Sequence, residues 1–409
     1  MKYVIFIPDG SSDYPITELG DKTPLEVAKT PNIDKLAKKG IGGFTNNVPE
    51  EFTPGSDVAN MSIFGYNPAG SYTGRGPLEA GSMGIDTTEN DVIFRCNTIT
   101  EEDNKIADFN AGHISSEEAE VLINSLNQYF NEKYDDFKGK FYPGISYRHL
   151  FVYSLDNEKD TKILDNLETI PPHDMVGGDI DENSSWNQDI AIEIKEIMKE
   201  SQEVLENHEI NKKRIEQGKK PANMVWLWGQ GTTPTLPNFK ETYGLNGAVI
   251  TGVDLLKGIA VFAGLDVVDV PGATGFFDTD YKAKGEYGVK TLEDHDLLLI
   301  HIEAPDEAGH AKDIDEKIKA LERIDEFIVG PILDSLEGQD YKIAILPDHP
   351  TPISVGTHTH DDVPIVIYST TSDITDDVER FTEKEVEKGI LANKEGFNLI
   401  NRLINDDYI

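Results

Sequence analysis

The chain is short of positive charge. Against 75 Asp and Glu it sets 37 Lys and Arg, a formal charge of −38, and only seven of its 409 residues are arginine. Nucleic acid and anionic membrane both dock on cationic patches, so neither is an expected partner. It has one cysteine, Cys96, which leaves no internal disulfide framework and suits a reducing compartment; the expected location is cytoplasmic. No apolar run approaches the ~20 residues of a membrane span, and the first run stops at Pro8-Asp9, too soon for a signal peptide. A Walker-type GxxxxGK[ST] loop is missing as well, so no familiar nucleotide cradle is present. The surplus of carboxylates reads first as a solvated surface. It also means that an anionic ligand would have to be recruited locally, by metal ions and a few well-placed bases.

What is present is a set of metal-grade residues where short apolar runs end. YVIFI (3–7) runs into Pro8-Asp9-Gly10, DLLLIHI (296–302) leads to Asp306 and His310, and YKIAIL (341–346) runs into Pro347-Asp348-His349, with His358 and His360 shortly after. Runs this short, bounded by turn residues, read as buried strands of a parallel sheet. In open α/β sheets ligands sit outside the carboxyl ends of such strands. Asp306 and His310 are four apart, a spacing that puts both on one face of a helix. Adjacent Asp348 and His349 diverge and suit two different cations. Mixed Asp and His ligation without thiolate fits Mn²⁺, Mg²⁺ or Zn²⁺.

At this length two cores are expected, since single cores stop growing near ~250–300 residues. The texture changes between about 110 and 218. Ser115 with Glu118 makes a capping box, strand-like pieces follow at 145–153 and 167–170, and a second amphipathic helix carries Ile190, Ile194 and Ile197. The reading is an α/β domain made of 1–109 and 219–409, with 110–218 inserted as a smaller α+β lid or substrate domain. NMVWLWG (223–229) is assigned to the larger domain.

Ser56 follows Pro54-Gly55 at a predicted helix start, where free amides and the helix dipole favour phosphate oxygens. Its ordinary fate there would be an N-cap. Beside metal ions, its hydroxyl becomes a candidate nucleophile. Arg75, Arg95 and Arg148 stand in turn-rich contexts and are the candidate anion contacts, with Lys257 a further one.

The motifs PDG (8–10), TPLEVAKTPNIDKLAKKG (23–40), PGSDVANMSIFGYNP (54–68), YTGRGPLEA (72–80), FRCN (94–97), SYRH (146–149), DxxxH (306–310) and DHPTP (348–352) together resemble the archaeal-type cofactor-independent phosphoglycerate mutases of the alkaline phosphatase superfamily. The resemblance covers nearly the whole chain. It implies an alkaline-phosphatase-like three-layer α/β core with a mostly parallel sheet, two divalent ions (Mn²⁺ foremost) and no 2,3-bisphosphoglycerate. One ion would be held by Asp9, Ser56, Asp348 and His349, the other by Asp306, His310 and His358, with His360 a bystander. The implied activity is interconversion of 3- and 2-phosphoglycerate, a small anionic substrate, through a phosphoserine at Ser56. The same branch includes proteins proposed to phosphorylate homoserine, and the metals and serine would equally serve a phosphatase.

Overall fold

The structure is a computed structural model that describes residues 1–181 and 188–408. The chain falls into two compact units, Met1–Tyr72 with Thr235–Ile409, and Thr73–Pro234. Among the described residues, β1 (Lys2–Pro8) and β2 (Ile41–Asn46) precede the second unit. Within that unit lie β3 (Asp91–Glu102), β4 (Lys105–Asp108), β5 (Gly139–Tyr142), β6 (Arg148–Ser154) and β7 (Met224–Thr232). After it come β8 (Gly247–Ile250), β9 (Asp266–Val267), β10 (Leu297–Ile302), β11 (Tyr341–Ile345), β12 (Val363–Ser369) and β13 (Leu391–Glu395).

The first unit is built on one eight-stranded sheet in the order β13-β2-β12-β11-β1-β10-β8-β9, in which only β12 runs against the rest. The apolar run of β1 is buried from Tyr3 to Pro8 on both of its faces, as a strand covered by helices on either side must be. Val4 and Phe6 pack with Leu298, Ile300, Leu321, Ile324 and Ile328 in the main core. β11, β1 and β10 are parallel neighbours, with Ile5 beside both Leu299 and Ala344. Parallel pairing in register brings their carboxyl ends to one edge, and with them the three expected metal-grade termini. The α/β class with a mostly parallel sheet is therefore as read from the sequence.

The second unit has its own antiparallel sheet. β3 pairs β6 on one side and β7 on the other, and β4 and β5 extend it. Phe94, Phe151, Trp226, Ile194 and Leu122 share its separate core. The unit is thus wider than 110–218. β3 supplies the central strand and β7 closes its flank, so 73–109 and 219–234 belong with it, and NMVWLWG is not a strand of the larger sheet. The segment 167–170 forms no strand; Pro171 and Pro172 follow at once, and proline cannot donate to a ladder. Ser115 does cap its helix, accepting from the Glu118 amide.

Candidate active site

The turn after β1 sets the geometry. Gly10 has φ +60, and a Cβ there would meet Asp306 Oδ1 and Thr351 Oγ1, each at 2.6 Å. Only glycine fits so close an approach in the left-handed region. Its amide donates to Asp348 Oδ1 (3.2 Å), which also accepts from the His349 amide (2.9 Å), while Asn60 Nδ2 donates to Asp348 Oδ2 (2.8 Å). Asp9, Asp306, Asp348 and His349 are all buried.

Ser56 is the first residue of the helix Ser56–Ile63, and Gly55, with extended backbone, is its N-cap. The serine side chain is therefore not spent as a cap. Its Oγ lies 3.4 Å from Asp9 Oδ2 and 3.2 Å from His349 Nε2. His349 Nε2 is also 3.7 Å from Asp9 Oδ1 and 3.5 Å from Asp348 Oδ2. Asp9, Ser56, Asp348 and His349 thus converge.

A second group forms around Asp306. Asp306 and His310 lie on one helix, Ala304–Ala311, with His310 Nε2 3.2 Å from Asp306 Oδ2 and His358 Nε2 3.4 Å from Asp306 Oδ1. His310 Nδ1 faces the Gly356 carbonyl and His358 Nδ1 the Pro54 carbonyl, each at 3.1 Å. A carbonyl only accepts, so each ring carries a proton on Nδ1, and both Nε2 atoms turn inward, 3.0 Å apart. Metal-binding histidines present the nitrogen opposite such a backbone contact, here Nε2. His360 is exposed and takes no part in this convergence.

The electrostatics ask for cations. Burial, reinforced by the Asp348 charge, pushes the Asp9 carboxyl well above the usual range, and burial pushes Glu303 up to about 8. Burial works in the same direction on Asp306, but hydrogen bonds from His310 and His358 hold it well below the ordinary value. The hydrogen bond to Asp306 raises His310 to about 9. Asp9 Oδ1 and Glu303 Oε2 are buried with no hydrogen-bond partner. Orphan carboxylate oxygens in a dry site are costly unless a cation meets them. Triads of ligand atoms within 4.8 Å of one another occur at Asp306, His349 and His358, at Asp9, His301 and Asp348, and at Asp9, Glu303 and Asp306. The donor set of carboxylates and imidazoles, without thiolate, fits divalent ions.

His301 and Glu303 were missed by the sequence reading. Both lie in LLLIHIEAPD, where a single His inside an apolar strand looks like a core residue; the signal was its place beside Ile7 in the register, just ahead of Asp9. The candidate anion contacts differ among themselves. Arg95 is already engaged, with Nη2 3.0 Å from Glu79 and its guanidinium 4.2 Å from the Trp228 ring centre. Arg75 opens the helix Arg75–Ser82. Lys257 pairs with Asp254 at 3.1 Å. Arg148, the first residue of β6, is exposed.

Residues 37–211 match the family model described as 2,3-bisphosphoglycerate-independent phosphoglycerate mutase. A protein of that name from Methanosarcina acetivorans is 49% identical over 406 residues, covering 99% of this chain and all of that one. Another, from Methanothermobacter thermautotrophicus, is 48% identical over 405 residues, covering 99% and 98%. Among solved structures, the cofactor-independent phosphoglycerate mutase of Thermoplasma acidophilum superposes with a TM-score of 0.68 at 28% identity, covering 99% of each chain. With full-length identity near one half and the serine, carboxylates and histidines gathered at one sheet edge, the chain belongs to the 2,3-bisphosphoglycerate-independent phosphoglycerate mutase family.

Proposed function

We propose that the protein interconverts 3-phosphoglycerate and 2-phosphoglycerate through a phosphoserine at Ser56. The observation that carries the reading is the Ser56 hydroxyl, left free by the Gly55 cap and held against Asp9 and His349 at the head of a helix. Asp9, Ser56, Asp348 and His349 would hold one divalent ion, and Asp306, His310 and His358 a second; the donor set fits Mn²⁺, Mg²⁺ or Zn²⁺, and the family resemblance puts Mn²⁺ first. Bound there, such ions lower the pKa of a hydroxyl and neutralise charge on a phosphoryl group.

Ser56 Oγ attacks phosphorus, forming the Oγ–P bond as the bond from phosphorus to the glycerate oxygen breaks. The serine proton lost is matched by one gained at the departing oxygen. Free amides at the start of the helix Ser56–Ile63 hold phosphoryl oxygens as their charge builds. Glycerate then takes the phosphoryl group back on its other hydroxyl, so the exchange balances without 2,3-bisphosphoglycerate. Arg148 is the proposed carboxylate or phosphate contact, because a guanidinium grips such groups in two places. Arg75, Arg95 and Lys257 are secondary candidates. The second unit, in this reading, keeps water from the phosphoserine. Single-cysteine composition, with Cys96 buried, supports a reducing, cytoplasmic setting; among the described residues no helix is long and apolar enough to cross a membrane.

Homoserine phosphorylation is the weaker reading, because the full-length relatives carry the mutase name. The deciding experiment is a coupled assay for 2-phosphoglycerate with Mn²⁺ or chelator, run beside homoserine with ATP. Ser56→Ala should abolish turnover with its melting curve unchanged, and mass analysis after trapping should find phosphate on Ser56 in the wild type only. Turnover retained in Ser56→Ala would remove the phosphoserine route.

A further inference from the structure

The helix Ser56–Ile63 buries every residue from Asp57 onward, and Asn60, between Ala59 and Met61, is fully buried. Asparagine is a poor choice there on two counts. It forms helix less readily than a straight-chain apolar residue, and its amide must be paired in the interior. The pairing is one-sided. Nδ2 donates to the Ser56 carbonyl at 2.9 Å and to Asp348 Oδ2 at 2.8 Å, whereas Oδ1 is buried without a hydrogen-bond partner. A carbonyl only accepts, so the amide cannot be turned round: its nitrogen faces Ser56 and Asp348, and its oxygen goes unmet. A leucine of similar shape would carry no such penalty. The other Asp348 oxygen, Oδ1, is taken by the Gly10 and His349 amides. Of these three donors, Asn60 is the one that also holds the Ser56 backbone.

We propose that Asn60 is a positioning residue that yokes the nucleophile to a metal ligand: one amide N–H fixes the Ser56 carbonyl, and the other orients the Asp348 carboxylate. The inference rests on the reading of Ser56 as nucleophile and Asp348 as ligand. Carboxylates that bind ions are oriented by hydrogen-bond donors behind them, and losing such a donor weakens metal binding or activity about 10–100-fold. Attack on phosphorus is as demanding, since misplacing a reacting group by about 1 Å costs on the order of 100-fold. Both bonds come from one planar amide on the nucleophile's own helix, so a shift of either partner is passed to the other. The rival role is a paired core residue and nothing more, which would show in stability but not in metal affinity or turnover.

The experiment measures Mn²⁺ affinity of chelator-stripped full-length protein by calorimetry, then kcat and KM for phosphoglycerate at saturating Mn²⁺, with urea midpoints alongside. The variants are Asn60→Leu, Asn60→Thr and Asp348→Asn. Leu removes the donor and its orphaned oxygen together. Thr can give a hydroxyl proton to the carbonyl four residues back, but with one proton it cannot serve both acceptors. We expect Asn60→Leu to bind Mn²⁺ about 10–100-fold more weakly, and to lose kcat by about 10–100-fold even at saturating Mn²⁺. Its KM should stay within a few-fold of wild type. Asn60→Thr should show the same weakened affinity, and it carries the test if Leu fails to fold. Wild-type Mn²⁺ affinity in the folded Asn60 variants would show that Asn60 does not orient the carboxylate, and the proposal would be wrong. Weaker affinity with kcat restored at saturating Mn²⁺ would overturn the link to Ser56. Asp348→Asn separates this from the reading beneath it: weakened binding there, beside unaltered Asn60 variants, rejects the yoke alone, whereas wild-type affinity in Asp348→Asn rejects Asp348 as a ligand and the yoke with it.

Discussion

Lys317 offers the sharpest test of what supports the metal edge. It is fully buried, and its ammonium donates to Asp13 Oδ2 at 2.7 Å and to the Thr351 carbonyl at 2.9 Å. Asp13 is buried too, and keeps two other donors, the Tyr14 amide at 2.9 Å and the Ile353 amide at 3.1 Å. A further carboxylate, the half-buried Glu383, accepts from the Asp13 amide at 3.0 Å and Thr23 Oγ1 at 2.7 Å. Lys317→Met keeps the aliphatic stem and removes the charge, leaving Asp13 buried without its counter-ion. Breaking a buried pair from one side costs about 3–5 kcal/mol. The two remaining backbone donors argue for the lower end, about 3 kcal/mol, or a fall in Tm of ~6–12 °C for a unit of this size. Lys317→Met with Asp13→Asn removes both charges and should recover at least about half of the loss, a coupling that a double-mutant cycle in urea measures directly. A single variant within ~1 kcal/mol of wild type, or a double variant as unstable as the two singles added, would refute the reasoning. The consequence reaches the site, because the Thr351 hydroxyl that this network steadies donates to Asp306.

Three further expectations follow from the same geometry. His358→Ala should lose bound metal by elemental analysis while His360→Ala keeps it, since only His358 turns Nε2 toward Asp306; the reverse pattern would show the wrong histidine was chosen. Arg148→Ala should raise KM for phosphoglycerate about 10–100-fold, the loss of one charged hydrogen bond, and should increase phosphate release relative to mutase turnover; unchanged KM and partitioning would exclude Arg148 from substrate contact. Burial pushes His149 down to about 3, whereas an unfolded histidine titrates near ~6.5. Between those values the unfolded chain holds the extra proton, so this contribution is complete above about pH 6.5 and is lost as pH falls, at up to ~1.4 kcal/mol per unit. The urea midpoint should therefore drop less between pH 7 and pH 5 in His149→Asn than in wild type; an identical drop would count against it.

The sequence by itself determined the parts of this protein that depend on short-range pattern. Apolar runs of five or six residues that stop at Pro-Asp read as buried strands with a carboxylate at the tip, and parallel pairing then gathers those tips. Asp9, Asp306, His310, Asp348 and His349 were legible for that reason, as was Ser56 from Pro54-Gly55 ahead of a helix. Tertiary structure decided whatever depends on partners far along the chain. β3 pairs with β7 across more than a hundred residues, and no local signal says which sheet a strand will join; hence the second unit begins at Thr73 rather than near 110. Arg95 reads as a free base until Glu79 and Trp228 close on it. His301 looks like a core histidine until the register of β10 sets it beside the Asp9 end of β1. The inward-facing nitrogens of His310 and His358 are fixed by the carbonyls of Gly356 and Pro54, because a proton goes where the folded backbone offers an acceptor.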